Sequence, residues 1–142
     1  MSMRSSAGRD GMNAYELRVT VAAGDIDGLG HVNNTVYLRW VQEVAIAHWE
    51  AVVSAADQAA IVWVVVRHEI DYRKPALAGD EILLRTWVGK ATRLTFERFT
   101  EVVRGQDGQL LAQARTLWCP VDPESFRPKR VSPELRAQFS TG

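Results

Sequence analysis

Cysteine is nearly absent from the sequence: Cys119 is the one thiol, so no disulfide can close within the chain. Set between Trp118 and Pro120 in an apolar stretch, it is expected to be a buried, unreactive thiol. Long apolar runs are missing too. No stretch of about 18 residues could span a bilayer, and the polar, glycine-containing residues 1–13 hold no apolar leader. The expectation is a cytoplasmic protein with no membrane contact. Excess charge of either sign is also lacking, since 17 basic residues balance 17 acidic ones, which removes the basic footprint of a nucleic-acid binder. Small molecules or protein remain as partners. What the chain does have is 142 residues, 46% of them hydrophobic, which is enough for one domain with a substantial core. That domain is expected at residues 14–142, behind a flexible N-terminal segment at 1–13.

Apolar residues alternate from Tyr15 through Leu17, Val19 and Val21 to Ala23, with Glu16, Arg18 and Thr20 opposite, which predicts a half-buried strand over residues 15–23. Gly24, Gly28 and Gly30 then break the pattern and permit a tight loop. Asn33 and Asn34 are good helix caps, and Tyr37, Trp40, Val41, Val44, His48 and Val52 follow at helical spacing, so one long helix is expected over residues 34–54. Its apolar arc, widened by Leu38, Ala45, Ile46, Ala47 and Trp49, suits a helix covered on most sides. Residues 61–73 read as a long strand, buried early and partly exposed late, that stops at Pro75. Three more strands are expected at 81–89, 93–104 and 109–121, with turns at 78–80, around 89–91 and at 105–108. Short connections make them an antiparallel meander, and Ser132 with Pro133 opens a possible short helix over 133–139. The layout is α+β, one long helix on one antiparallel five-stranded sheet, and a single helix cannot cover both faces of five strands. A second copy of the chain is the simplest cover for what is left.

The run from Gly24 to Tyr37 carries the chemistry. It sets Asp25, Asp27, His31, Asn33 and Asn34 between a strand end and a helix start, where unpaired backbone N–H groups can hold a developing oxyanion. A carboxylate near that point can attack a carbonyl carbon or activate water. The segment Asp25-Ile26-Asp27-Gly28-Leu29-Gly30-His31-Val32-Asn33-Asn34, supported by Asp71-Tyr72-Arg73-Lys74-Pro75 and Gly79-Asp80, resembles the 4-hydroxybenzoyl-CoA thioesterase-like hotdog proteins. Its His-Val-Asn-Asn core is also similar to the plant acyl-carrier-protein thioesterases. The resemblance implies a sheet curled round the helix in a hotdog fold, assembly as a homodimer or homotetramer, and an acyl-CoA or acyl-carrier-protein thioester bound between two chains. It implies catalysis by Asp27 as nucleophile or general base, the Asn34 N–H as oxyanion donor, His31 as a catalytic or loop-shaping residue, and no cofactor. The plant enzymes have an asparagine at the position of Leu29, so the simpler bacterial arrangement with Asp27 alone is the better match.

Other readings of the same residues stand beside this one. Asp25 and Asp27 could cap the turn by bonding local N–H groups. A metal on Asp25, Asp27 and His31 lacks a further His or Cys cluster, and an EF-hand fails because its twelfth position is Val36. His48 lies on the apolar stripe and is expected to be a hydrogen-bonded core histidine, while His68 and Tyr72 share one strand face. Asn33, Tyr37 and Glu43 are candidates for substrate binding, and Lys90, Thr92 and Arg93 at a strand turn are candidates for the CoA phosphates. The five tryptophans are expected as core or interface anchors, one or two of them walling the acyl pocket. Two other functions remain open: a hotdog hydratase or dehydratase, which needs a histidine paired with an acid, and a non-catalytic acyl-CoA binding module.

Overall fold

A computed structural model describes residues 14–141, so the N-terminal segment expected at 1–13 lies outside the described residues. The order is β1 (Tyr15–Thr20), a single 3-10 turn (Ala23–Asp25), α1 (Asn34–Val52), α2 (Ala55–Ala60), β2 (Val62–Tyr72), β3 (Glu81–Ala91), β4 (Phe96–Arg104), β5 (Leu110–Val121) and α3 (Pro133–Thr141). The five strands make one antiparallel sheet in the order β1-β3-β4-β5-β2, with β3, β4 and β5 as the expected meander.

Helix α1 starts where Asn33 caps it: the Asn33 Oδ1 accepts from the Thr35 N–H at 2.9 Å and from its hydroxyl at 2.8 Å. Val36, Tyr37, Trp40, Val41, Val44, Ala45, His48 and Trp49 are buried, a helical-period face laid against the sheet. The helix stops two residues short of expectation because Val53 is extended and Ser54 caps a new helix, α2, which the pattern did not suggest. One core cluster joins the first half of α1 to Ile82, Leu84, Val102 and Leu111. A second joins Trp49 and Val53 to Ile61, Phe96 and the α3 residues Leu135 and Phe139. Burying such side chains contributes about 1.5–3 kcal/mol each, so these clusters fix where the sheet meets the helix.

Several expectations need correction. Strand β1 ends at Thr20, because the Asp25 carboxylate takes the Ala22 N–H at 2.9 Å and winds residues 23–25 into the 3-10 turn. Strand β2 is not buried early: Val62, Val64 and Val66 are 38%, 42% and 60% exposed, since β2 is an edge strand whose outer face none of the described residues covers. The turn expected around 89–91 lies at 92–95, where the Thr92 and Thr95 hydroxyls pair at 2.9 Å and the Thr92 N–H donates to the Thr95 carbonyl. Strand β3 runs on through a bulge, and Gly89 is required there because a Cβ would meet Glu97 Oε1 at 2.6 Å and Phe99 Cε2 at 2.7 Å. Cys119 is half-buried and not fully enclosed, its Sγ 3.7 Å from the Pro120 carbonyl oxygen.

Candidate active site

The glycine-flanked loop is folded by its own two aspartates, in different ways. Asp25 is buried: Oδ2 accepts from the Ala22 N–H, Oδ1 accepts from Arg39 Nη2 at 3.2 Å, and its carbonyl accepts from the Asn33 N–H at 2.8 Å. It ties the end of β1 to the start of α1, which is the turn-capping role weighed for it. Asp27 is half-buried. Its Oδ1 accepts from the Leu29 N–H at 2.8 Å and more weakly from the His31 N–H at 3.4 Å, while Oδ2 accepts no hydrogen bond among the described residues. Backbone bonds from Asp27 N–H to the His31 carbonyl and from Gly30 N–H to the Asp27 carbonyl close the bend, and Gly30 sits at φ 81°, a backbone region that favours glycine.

At the helix start the Val36 N–H donates to the Asn33 carbonyl and the Thr35 N–H to the Asn33 side chain, whereas the Asn34 N–H donates to nothing among the described residues. An open cleft of about 450 Å³ faces this point, lined by Asp27, His31, Asn33, Asn34, Tyr37 and the strand-end run Tyr72, Arg73, Lys74 and Pro75, with Leu29 and Val32. The residue with a free carboxylate oxygen and the residue with a free amide donor therefore line the same cleft, at the positive end of a 19-residue helix. Tyr37 forms the floor more than a contact surface. It is buried, its hydroxyl accepts from the Ala76 N–H at 2.9 Å, and its ring meets Tyr72 edge-on at 5.2 Å. Burial pushes its phenol above the ordinary value of 10, so it stays neutral. The Tyr72 hydroxyl donates to the Asn34 carbonyl at 3.4 Å, holding the end of β2 against the first turn of α1.

The remaining candidates lie elsewhere in the chain. Glu43 is one turn from Arg39, 3.5 Å away, on the exposed side of α1. Lys90, Thr92 and Arg93 sit at the tip of the β3–β4 hairpin, where Thr92 Oγ1 accepts from the Leu94 and Thr95 N–H groups, and none of the three lines the cleft. Arg73 and Lys74 do line it and were missed as site residues, although their place between a strand and a proline in the Tyr-Arg-Lys-Pro run was the available signal. His48 is the core histidine expected of it, stacked between Tyr15 and Phe139 and 3.0 Å from Arg98 Nη1. His68 and Tyr72 face the same side, and burial lowers His68 below its ordinary 6.5 beside the Thr116 hydroxyl at 3.1 Å. Among the described residues no group of three or more His, Cys, Asp or Glu could hold a metal, and no helix is long and apolar enough to cross a membrane.

A sheet of five antiparallel strands packed on one long helix is the hotdog fold of thioesterases. The chain belongs to the thioesterase-like superfamily, whose family model matches residues 21–139. A chloroplastic acyl-acyl carrier protein thioesterase of Arabidopsis thaliana is 23% identical over 138 residues, covering 93% of this chain and 71% of the plant protein. The fold is similar to that of a 1,4-dihydroxy-2-naphthoyl-CoA thioesterase from Synechocystis, with a TM-score of 0.78 at 20% identity over 89% of this chain and 95% of that one. It is similar as well to a Thermus thermophilus thioesterase complexed with coenzyme A and Zn, with a TM-score of 0.75 at 26% identity over 87% and 95% of the two chains.

Proposed function

We propose that the protein hydrolyses an acyl-CoA or acyl-carrier-protein thioester to the free acid and the thiol, with Asp27 as nucleophile or general base. The observation that supports this most is the pairing, in one cleft, of the unengaged Asp27 Oδ2 with the unengaged Asn34 N–H. The thioester carbonyl oxygen rests on that N–H, which stabilises the negative charge that develops as the carbonyl becomes tetrahedral. As nucleophile, Asp27 displaces the thiolate and leaves a mixed anhydride that water opens. As base, it takes the proton of the attacking water and the thiolate leaves in the same sense. His31, with its backbone bonded to Asp27 at both ends, fixes the bend and stands at the cleft wall to exchange protons with the leaving thiol. Asn33 holds the first turn so that the Asn34 N–H points outward.

Arg73 and Lys74 on the cleft rim suit the phosphates of CoA or of a carrier's phosphopantetheine. The cleft is one-sided within the chain, with Leu29, Tyr72 and Leu77 exposed around it, and β2 presents an unpaired edge with three exposed valines. A homodimer or homotetramer formed through this side covers both. Lys90, Thr92, Arg93 and Glu43 then serve substrate only from a neighbouring subunit, in a protein working in the cytoplasm. Thiol release from a panel of short, medium, long and aromatic acyl-CoAs, with an acyl carrier protein thioester beside them, tests the reading. Turnover of at least one is expected, together with a dimer or tetramer by light scattering at micromolar concentration. CoA binding without turnover of any substrate, or dehydration of a 3-hydroxyacyl-CoA without CoA release, would replace it.

A further inference from the structure

Two surface features lie away from the cleft, and each supplies what the other lacks. The first is the loop that follows β5. Asp122 Oδ1 accepts from the Glu124 and Ser125 N–H groups at 2.8 and 3.0 Å. The Phe126 N–H donates to the Asp122 carbonyl and the Asp122 N–H to the Arg127 carbonyl, both at 2.8 Å. These bonds hold Phe126 at φ 57°, a left-handed backbone that glycine takes freely and a bulky side chain takes only at a cost. No packing within the chain offsets that cost, since Phe126 is 66% exposed. Arg127 and Arg130 are exposed close by and join no ion pair among the described residues, and Glu124 is the one exposed carboxylate of residues 122–130.

The second feature is on the sheet face turned away from α1. Ile82, Leu84 and Thr86 of β3 and Phe96, Thr100 and Val102 of β4 are buried on the core side, so alternation sends Arg85, Trp87, Phe99 and Glu101 to the other. Strand register lines up Trp87, Phe99, Arg115 and Glu69 in one row across β3, β4, β5 and β2, and Arg85, Glu101, Gln113 and Asp71 in the next. An open cleft of about 420 Å³ lies over the two rows, lined by all of these except Arg85. Trp87 and Phe99 stack in it with ring centres 5.8 Å apart. Arg85 pairs with Glu16 and Glu101, Arg115 with Glu69 and Glu97, and Arg67 with Glu69, whereas Asp71 joins no ion pair among the described residues. In this group five carboxylates stand against three guanidinium groups, so the cleft is set in a surplus of negative charge.

We propose that the two features meet between two copies of the chain: Phe126 of one copy enters the aromatic cleft of the other, with Arg127 and Arg130 against its carboxylates. They cannot meet within one chain. Val121, where the loop begins, is six residues along β5 from Arg115, roughly 20 Å at about 3.3 Å per residue, and the bond to Asp122 keeps Phe126 at the far end. A two-fold axis crossing β5 between loop and cleft sets each loop on the other copy's cleft, so the contact closes as a pair. This interface is separate from the β2 edge, and the two together make a tetramer. It goes beyond thioester hydrolysis and does not depend on it.

Light scattering over a concentration series, with thermal melting followed by circular dichroism beside it, tests the proposal. Phe126→Gly removes the ring and suits the left-handed backbone, so the fold should melt no lower than the wild type while the molar mass halves and association weakens by about tenfold or more. Asp71→Arg should also halve the mass, as should Arg127→Asp with Arg130→Asp, and the three charge reversals together should restore it. The Asp27→Asn protein should keep the wild-type mass, so loss of hydrolysis and loss of this interface are distinguishable. Wild-type mass in either Phe126→Gly or Asp71→Arg, which would hand the loop to a different partner, would overturn the proposal. So would a loss of mass that combining the charge reversals does not relieve.

Discussion

Asp25 and Asp27 are two residues apart in one loop, and the structure gives them opposite sensitivities. In Asp25→Ala, the Ala22 N–H loses a charged acceptor at 2.9 Å in a place where Asp25 itself is only 6% exposed. A hydrogen bond to a charged group contributes about 1.5–3 kcal/mol. The Arg39 ion pair adds less, about 0–1 kcal/mol, because Arg39 is half-exposed and water screens it. Together they predict a loss of about 2–3 kcal/mol in urea unfolding followed by circular dichroism. With a slope of about 1–3 kcal/mol per molar urea, the midpoint falls by about 1 M or more. Asp25→Asn keeps an acceptor for Ala22 and loses only the charge, so it should cost about 1 kcal/mol. If Asp25→Ala unfolded within about 0.5 kcal/mol of the wild type, the assignment of Asp25 as the tie between β1 and α1 would be wrong.

Gly89→Ala should destabilise by about 1–3 kcal/mol, since its methyl group meets Glu97 and Phe99 and both are anchored, Glu97 by Lys90 N–H and Arg115 and Phe99 by stacking on Trp87. Leu84→Ala, at a fully buried site on β3, should cost about 2–5 kcal/mol by the same unfolding assay. Glu97 supplies a pH test. Burial alone would raise its pKa, but the Lys90 N–H and the Arg115 guanidinium outweigh it and hold the carboxyl below its ordinary 4.5. A carboxyl lowered in the folded state stabilises above its unfolded value and ceases to do so as pH falls through the folded one. The stability gap between wild type and Glu97→Gln should therefore be constant above about pH 5.5 and close in stronger acid. A gap that widened in acid would reverse the sign and refute the ion pair.

Much of the fold was legible because its signals are local. The period-two pattern from Tyr15, the helical spacing from Tyr37 to Val52 and the turn residues at 105–108 each act within a few positions, and the elements lie within a few residues of where these place them. The loop was legible for the same reason, since Asp27 and the cap Asn33 bond within four residues of themselves. What failed depends on sheet order. The run Ile61 to Val66 looks buried in sequence, yet its strand falls at an edge, and no local pattern says which strand that will be. Arg98 was overlooked for a related reason: alternation sets it on the inward side with Phe96 and Thr100, but an arginine is ordinarily read as exposed. Arg73 and Lys74 join the cleft only because the end of β2 is brought against α1 through Tyr72 and Tyr37. That contact is tertiary and leaves no trace in spacing.

The central claim is tested most directly by the rate of thiol release for Asp27→Asn on the best acyl thioester of the panel. The substitution keeps an acceptor for the Leu29 N–H and so preserves the bend, while it removes the negative charge proposed to attack the carbonyl or accept the water proton. The account predicts that kcat/KM falls by about 10²-fold or more, with assembly and circular dichroism unchanged. A variant that kept most of the wild-type rate would contradict it.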